Sequence, residues 1–327
     1  MPAVALRIEM ARHGGPEVLR AVDRPPAAPG PGEALVRVAL AGVNRADCFI
    51  RAGEWTQAGG WPYVPGLEAC GTVEAVGPGV LDLAPGDPVI TMMQRLGGIH
   101  GVRPGGYQEL LLCPAATLVR IPPALDIETA GALGLPAVTA LLAHRALEAA
   151  PGQRVLVHAA TSAVGTCAVQ LLAAAGCHVI ATGTRPSKLE RARSLGAAEL
   201  AITTDPAWST ALAPVDRVFD LVGRATFAAT VELLAPGGRL VFVGGTSGGE
   251  LAFSGWALMR PVTLTGYSSE TLDRAQLSDA MAHIAAAVAD RSLRVAELTR
   301  VPLRDAARAH ELLESGQLTG RLVLTCS

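Results

Sequence analysis

Residues 155–176 read VLVHAATSAVGTCAVQLLAAAG: an apolar run from Val155 to Ala159, a few small residues, then Val164, Ala168, Leu171, Leu172 and Ala175 at helical spacing. A strand, a tight turn and a helix in that order can hold a pyrophosphate. The N–H groups at the helix start point at the ligand, and the helix dipole favours negative charge there. Glycine serves such a turn where φ must be positive or where backbone approaches phosphate or strand. Here Ser162 and Ala163 stand where a dinucleotide-binding fingerprint carries glycines, and Gly165 is retained. Ala and Ser are the next smallest residues, and Ser162 or Thr161 can donate a hydroxyl. Ala160, Thr161, Ser162, Ala163 and Val164 are therefore the expected phosphate contacts. The alternative is an ordinary strand–turn–helix of an α/β core.

The next strand bears on which nucleotide. HVIATGTRPSKLE has no acid before Glu190 and places Gly183, Thr184, Arg185 and Lys188 in and after the turn. A carboxylate here would bind a ribose 2′-OH and repel a 2′-phosphate, whereas a guanidinium pairs with that phosphate. The segment predicts NADPH over NADH; the competing reading makes Arg185 and Lys188 solvated charges at a helix start. Further on, LVFVGGTSGGE ends a strand in Gly244, Gly245, Thr246 and Ser247. Ligands of open α/β sheets sit beyond the carboxyl ends of strands, so this loop is expected at the nicotinamide end, unless it is merely a flexible turn.

These turns need a sheet to carry them. A chain of 327 residues predicts two domains. Half the residues are hydrophobic and 17% charged, which excludes general disorder. A net charge of -2 with scattered signs argues against nucleic acid or an anionic membrane surface as partner. The N-terminus lacks a secretory pattern, and no run of about 18 consecutive apolar residues is seen, so a cytoplasmic protein is expected. Six cysteines without a C-x-x-C pair predict reduced thiols. Residues 1–125 show short β-like runs punctuated by Pro and Gly. After them helices alternate with the apolar runs RVLVHA, HVIATG, RVFDLVG, RLVFVGG and PVTLTGY, the pattern of a doubly wound parallel sheet. The closing GRLVLTC is expected to return to the N-terminal β domain.

Several segments together resemble one family. HAATSAVG is similar to the HAAxGGVG segment of zinc-independent quinone oxidoreductases, the zeta-crystallin-like branch of the medium-chain dehydrogenase/reductase superfamily. AGVNRADCFIRAGEW (41–55), PGLEACGTVEAVGPGV (65–80) with GDPVI, and GRLVL (320–324) agree in order. The resemblance implies a mostly-β GroES-like catalytic domain (1–125 and 268–327) and a Rossmann NADPH-binding domain (126–267). It also implies an active-site cleft between them and a homodimer joined through Rossmann edge strands, with PVTLTGY the candidate edge. Thr139 and Arg321 complete the cofactor-binding set it implies.

Zinc-dependent relatives use a Cys and a G-H-E motif. Here Leu67 occupies the histidine position and VNRAD the cysteine's, so no metal is expected. Without a Lewis acid, an electrophile already activated by conjugation is the better substrate. Hydride addition to a quinone or an enone leaves charge on oxygen, which calls for hydrogen-bond donors. Asn44 is the first candidate. Asp47, three residues on, is expected to hold Asn44 or an arginine in place and, as an ordinary ionised Asp, not to donate a proton. The competing reading of NRAD is a helix cap and turn. Trp55 and Tyr63, with Trp61, are expected to wall a flat pocket or else to cluster under a loop. Tyr267 is a candidate hydroxyl donor. His158 is expected to be packed or hydrogen-bonded. Two alternatives stay open: an enoyl-thioester reductase of a secondary-metabolite pathway, and an NADPH-binding sensor or structural protein with little turnover.

Overall fold

The Pro- and Gly-punctuated N-terminal third forms short strands in the computed structural model, which describes residues 4–55, 60–97 and 103–326. In chain order come β1 (Ala5–Glu9), β2 (Arg20–Arg24), β3 (Glu33–Gly42), helix α1 (Arg45–Ala52), β4 (Glu68–Val76), β5 (Pro88–Met92), β6 (Leu110–Pro114) and β7 (Val119–Arg120). Helix α2 (Ile127–Leu147) leads into β8 (Arg154–Val157), α3 (Ala163–Ala174), β9 (His178–Gly183), α4 (Pro186–Leu189), β10 (Glu199–Ile202), β11 (Val215–Asp220), α5 (Phe227–Leu233), β12 (Leu234–Phe242) and β13 (Thr263–Gly266). The tail supplies α6 (Arg274–Ala289), β14 (Leu298–Pro302), α7 (Ala306–Glu314) and β15 (Arg321–Thr325).

Two compact units result. The first comprises Met1–Leu135, Ser269–Ala289 and Glu297–Ser327; the second comprises Pro136–Ser268 and Asp290–Ala296. Residues 126–135 thus cluster with the β unit and 290–296 with the parallel-sheet unit. In the first unit a seven-stranded sheet runs β14-β15-β3-β4-β5-β7, with β6 paired to β3. The closing strand does return: Val323, Leu324 and Thr325 of β15 pair antiparallel with Gly42, Ala41 and Leu40 of β3. Ile8, Val36, Val38, Tyr107, Leu111 and Leu324 belong to the core beneath it.

In the second unit six strands run β10-β9-β8-β11-β12-β13, all pairs parallel. The uninterrupted apolar runs follow from burial on both faces: Val155, Leu156, Val157, Ile180, Val218 and Phe219 are inaccessible to solvent. The order steps outward from β8 in one direction and from β11 in the other, the switch point where such sheets bind ligands. β13 ends the sheet, and Trp256, Leu258 and Met259 just before it are exposed.

Helix α2 is long and apolar enough to cross a bilayer by length and composition, but 78% of its most apolar window is buried in the fold. It is also broken. Gly134 adopts φ 36 and ψ -141, and Pro136 follows two residues later. Proline has no N–H and its ring clashes with the preceding turn. The break falls at the boundary between the two units.

Candidate functional site

The chemistry-bearing residues of the first unit converge at the start of α1. Asn44 is the N-cap and Gly53, at φ 81, closes the other end of the helix. Asp47 accepts from the Asn44 backbone N–H at 2.8 Å, so NRAD is a cap, and its other oxygen accepts from the Leu67 N–H at 3.0 Å. The Asn44 side chain reaches two further partners. Its Nδ2 donates to Glu68 Oε1 at 2.8 Å, and its Oδ1 accepts from Arg321 Nη1 at 3.0 Å. Arg321 Nη2 is ion-paired with Glu68, both side chains almost wholly buried. Glu68 Oε2 takes the Leu135 N–H at 2.7 Å.

This arrangement revises two expectations. Asp47 is not ordinary: burial, with the Glu68 charge adding to it, pushes its carboxyl up to about 7 against two backbone N–H bonds and a hydrogen bond from the Asn44 side chain. It is nonetheless sealed at 1% exposure, its oxygens held by the Asn44 and Leu67 N–H groups with the Asn44 side chain also acting on it, so it steadies the turn that carries Asn44. Arg321, expected at the coenzyme, has its two terminal nitrogens committed to Glu68, Asn44 and the Val43 carbonyl. Its buried Nε has no hydrogen-bond partner among the described residues, and at 4% exposure the side chain is sealed into this pairing.

The aromatics divide. Tyr63 does not wall an open pocket: it is 5% exposed within the core cluster, paired by its backbone to Met10. Its Oη is buried without a partner among the described residues, and burial holds the phenol far above its usual range. Trp61 is exposed and meets His13 edge-on at 5.0 Å. Trp55 is half-buried just past α1. Tyr267, half-buried after β13, donates its N–H to the Phe242 carbonyl. Burial raises its phenol to about 12, so it keeps its proton and can donate it in a hydrogen bond at neutral pH.

In the second unit the turn after β8 shows why it needs few glycines. The positive φ falls on Ala159, at 47°, upstream of the substituted positions. Ser162 sits at φ -74 and ψ 168, extended backbone open to any residue, and caps α3 by accepting from the Gly165 N–H at 3.1 Å. Ala163 and Val164 open the helix, where backbone N–H groups have no intrahelical acceptor. Gly165 is required for packing: a Cβ there would fall on the Ala159 carbonyl and 2.8 Å from the Ala160 Cα. Ala160 is buried and donates to the Thr182 carbonyl; Thr161 is half-buried. The turn fits a pyrophosphate.

His158 beneath it bonds Thr182 Oγ1 at 2.7 Å and Thr230 Oγ1 at 2.8 Å. Thr230 donates to the Thr226 carbonyl, so it accepts from His158 Nε2–H and Nδ1 accepts from Thr182. Burial lowers the imidazole's pKa and keeps it neutral, a packed residue as expected. Gly183 ends β9 and Thr184 follows it; Arg185 is exposed at the N-cap of α4, and Lys188 is half-buried in its last turn. Thr139 is half-buried on α2. In the loop after β12, Gly244 and Gly245 are half-buried, but the hydroxyls are spent on the segment that follows β11. Thr246 donates to the Leu221 carbonyl at 3.1 Å and Ser247 to the Val222 carbonyl at 2.8 Å. Their side chains therefore pin the loop.

The residue missed from the sequence is Glu68. The visible signal was an acid at the start of an apolar strand in PGLEACG, next to the position where a histidine was sought. A zinc ion does not suit this corner: Leu67 is buried and apolar, and the Glu68 oxygens are taken by Arg321, Asn44 and Leu135. Among the described residues no group of three His, Cys, Asp or Glu side chains could hold a metal.

A GroES-like β unit followed by a Rossmann-like parallel sheet defines an oxidoreductase of the medium-chain dehydrogenase/reductase type. Residues 30–123 match the alcohol dehydrogenase GroES-like domain and residues 163–286 the family described as zinc-binding dehydrogenase. The chain is 34% identical to the quinone oxidoreductase of Pseudomonas aeruginosa, over 98% of this chain and 99% of that one. It is 30% identical to a 2-haloacrylate reductase of a Burkholderia species, over 96% of each. The crystal structure of Escherichia coli quinone oxidoreductase complexed with NADPH superposes with a TM-score of 0.86 at 30% identity, covering 98% of this chain and 99% of that one. The chain belongs to the quinone oxidoreductase family of this superfamily.

Proposed function

We propose that the protein reduces a quinone or an α,β-unsaturated carbonyl with NADPH, without zinc. The observation that carries the reading is Asn44. An amide has two N–H donors, and one of these goes to Glu68 while Arg321 fixes the oxygen. A preorganised donor of this kind stabilises charge developing on an acceptor oxygen without titrating. When bound, the nicotinamide supplies the hydride. The chain's own part is binding and orientation: the start of α3 receives the pyrophosphate, and Arg185 and Lys188 attract the 2′-phosphate. Tyr267, protonated throughout the neutral range, is the hydroxyl in reserve. An E. coli relative complexed with NADPH and a relative named for a haloacrylate, a conjugated acid, support both halves of the reading. Six cysteines free of disulfides accord with a reducing, cytoplasmic setting.

The test is a spectrophotometric screen of NADPH and NADH oxidation against quinones, 2-alkenals and enoyl thioesters, with metal content measured on the same sample. Turnover of free quinones or alkenals with NADPH, on protein free of zinc, is the expected result. Activity confined to carrier-bound thioesters would replace this reading with an enoyl-thioester reductase. Tight coenzyme binding with no oxidation across the panel would make the chain a binding protein.

A further inference from the structure

Three segments far apart in the sequence deliver a donor to one buried carboxylate. Asn44 Nδ2 and Arg321 Nη2 reach Glu68 Oε1, and the Leu135 N–H reaches Oε2. The third has a local cause. Gly134 leaves helical dihedrals and breaks α2 there, so the Leu135 N–H finds its acceptor in Glu68 instead of in the preceding turn. The backbone makes room on two sides. A Cβ at Gly42 would fall on the Arg321 guanidinium and the Glu68 carboxylate, and a Cβ at Gly134, where φ is +36, would fall on Glu68 Oε2.

A carboxylate only accepts and a guanidinium only donates. Between them the Asn44 amide has one satisfactory orientation, Nδ2 toward Glu68 and Oδ1 toward Arg321. The reverse would set N–H against N–H and lone pair against lone pair. We infer that Glu68 is a positioning residue: it fixes which way the Asn44 amide faces and ties that orientation to the break in α2. The inference rests on the reading of Asn44 as the donor to substrate or nicotinamide. Glutamine at position 68 would turn an NH2 toward one of the three donors, so the amide flips or a bond is lost.

A double-mutant cycle tests this on the full-length protein, using NADPH and the most active acceptor from the screen. Glu68→Gln should lower kcat by roughly tenfold or more, with KM for NADPH changed by less than about threefold. In the Asn44→Ala background the same change should matter by less than about twofold, because the group it orients is gone. An equal loss in both backgrounds would overturn the inference and make Glu68 a structural residue only. If Asn44→Ala alone leaves kcat unchanged, the reading of Asn44 fails, and the role of Glu68 falls with it. Should Glu68→Gln not fold, Arg321→Lys runs the same cycle, since an ammonium lacks the fork that spans Glu68 and Asn44; an equal loss in both backgrounds is again the overturning result.

Discussion

Helix α1 is held at each end by a buried guanidinium, and the two ends do different things. At its start, the Arg321–Glu68 pair finishes on Asn44, a half-buried amide. At its other end Arg51 bonds Glu314 at 2.6 Å, the Gly14 carbonyl at 3.0 Å and His310 Nδ1 at 3.1 Å. Since Arg51 only donates, His310 Nδ1 accepts and Nε2–H donates to Tyr107 Oη at 3.1 Å. Tyr107 and His310 are fully buried, and no donor of theirs faces solvent. A buried charge network becomes a site when its last member reaches the surface with hydrogen-bonding capacity left over. Closed on itself, it is a strut.

The largest expected difference between the two ends is in stability. Glu68→Leu leaves Arg321 uncompensated in the interior and should cost about 3–5 kcal/mol, read by chemical denaturation. Next comes pH. Burial, reinforced by Arg51, lowers His310 to about 3, so the folded state binds its proton later than the unfolded chain does. The resulting stability is fully present above the ordinary histidine value of about 6.5 and is lost as pH falls toward 3. Wild type should lose about 2 kcal/mol at pH 5 from this group, and His310→Gln should show a flatter denaturation profile between pH 6.5 and 5. The smallest effect is expected for Arg51→Met. Its partner Glu314 is one-third exposed and can turn to water, so melting should report a loss of about 1–2 kcal/mol with kcat and KM unchanged. A kcat loss in Arg51→Met matching that of Glu68→Gln would erase the distinction between site and strut.

Much of this was legible beforehand. Alternating apolar runs announce the parallel sheet because burial on both faces leaves no polar position. NRAD shows its cap because Asn and Asp three apart is a local signal. The turn at 159–165 was half-legible: Gly165 declares itself, but the positive φ at Ala159 depends on how the strand leaves the sheet. Glu68 and Arg321 were opaque because their pairing is 253 residues long and each sits in a strand whose periodicity says nothing of charge partners. Tyr63 misled for the opposite reason, since a Gly- and Pro-rich neighbourhood looks like surface while its backbone pairing with Met10 draws the ring inward.

The return of β15 to β3 has a temporal side. A ribosome finishes Glu68 well before Arg321, with every strand of the parallel sheet made in between. Until then Glu68 lacks the guanidinium it pairs with and the amide at 44 lacks the donor to its oxygen. The pairing of β15 with β3 is what brings the two together.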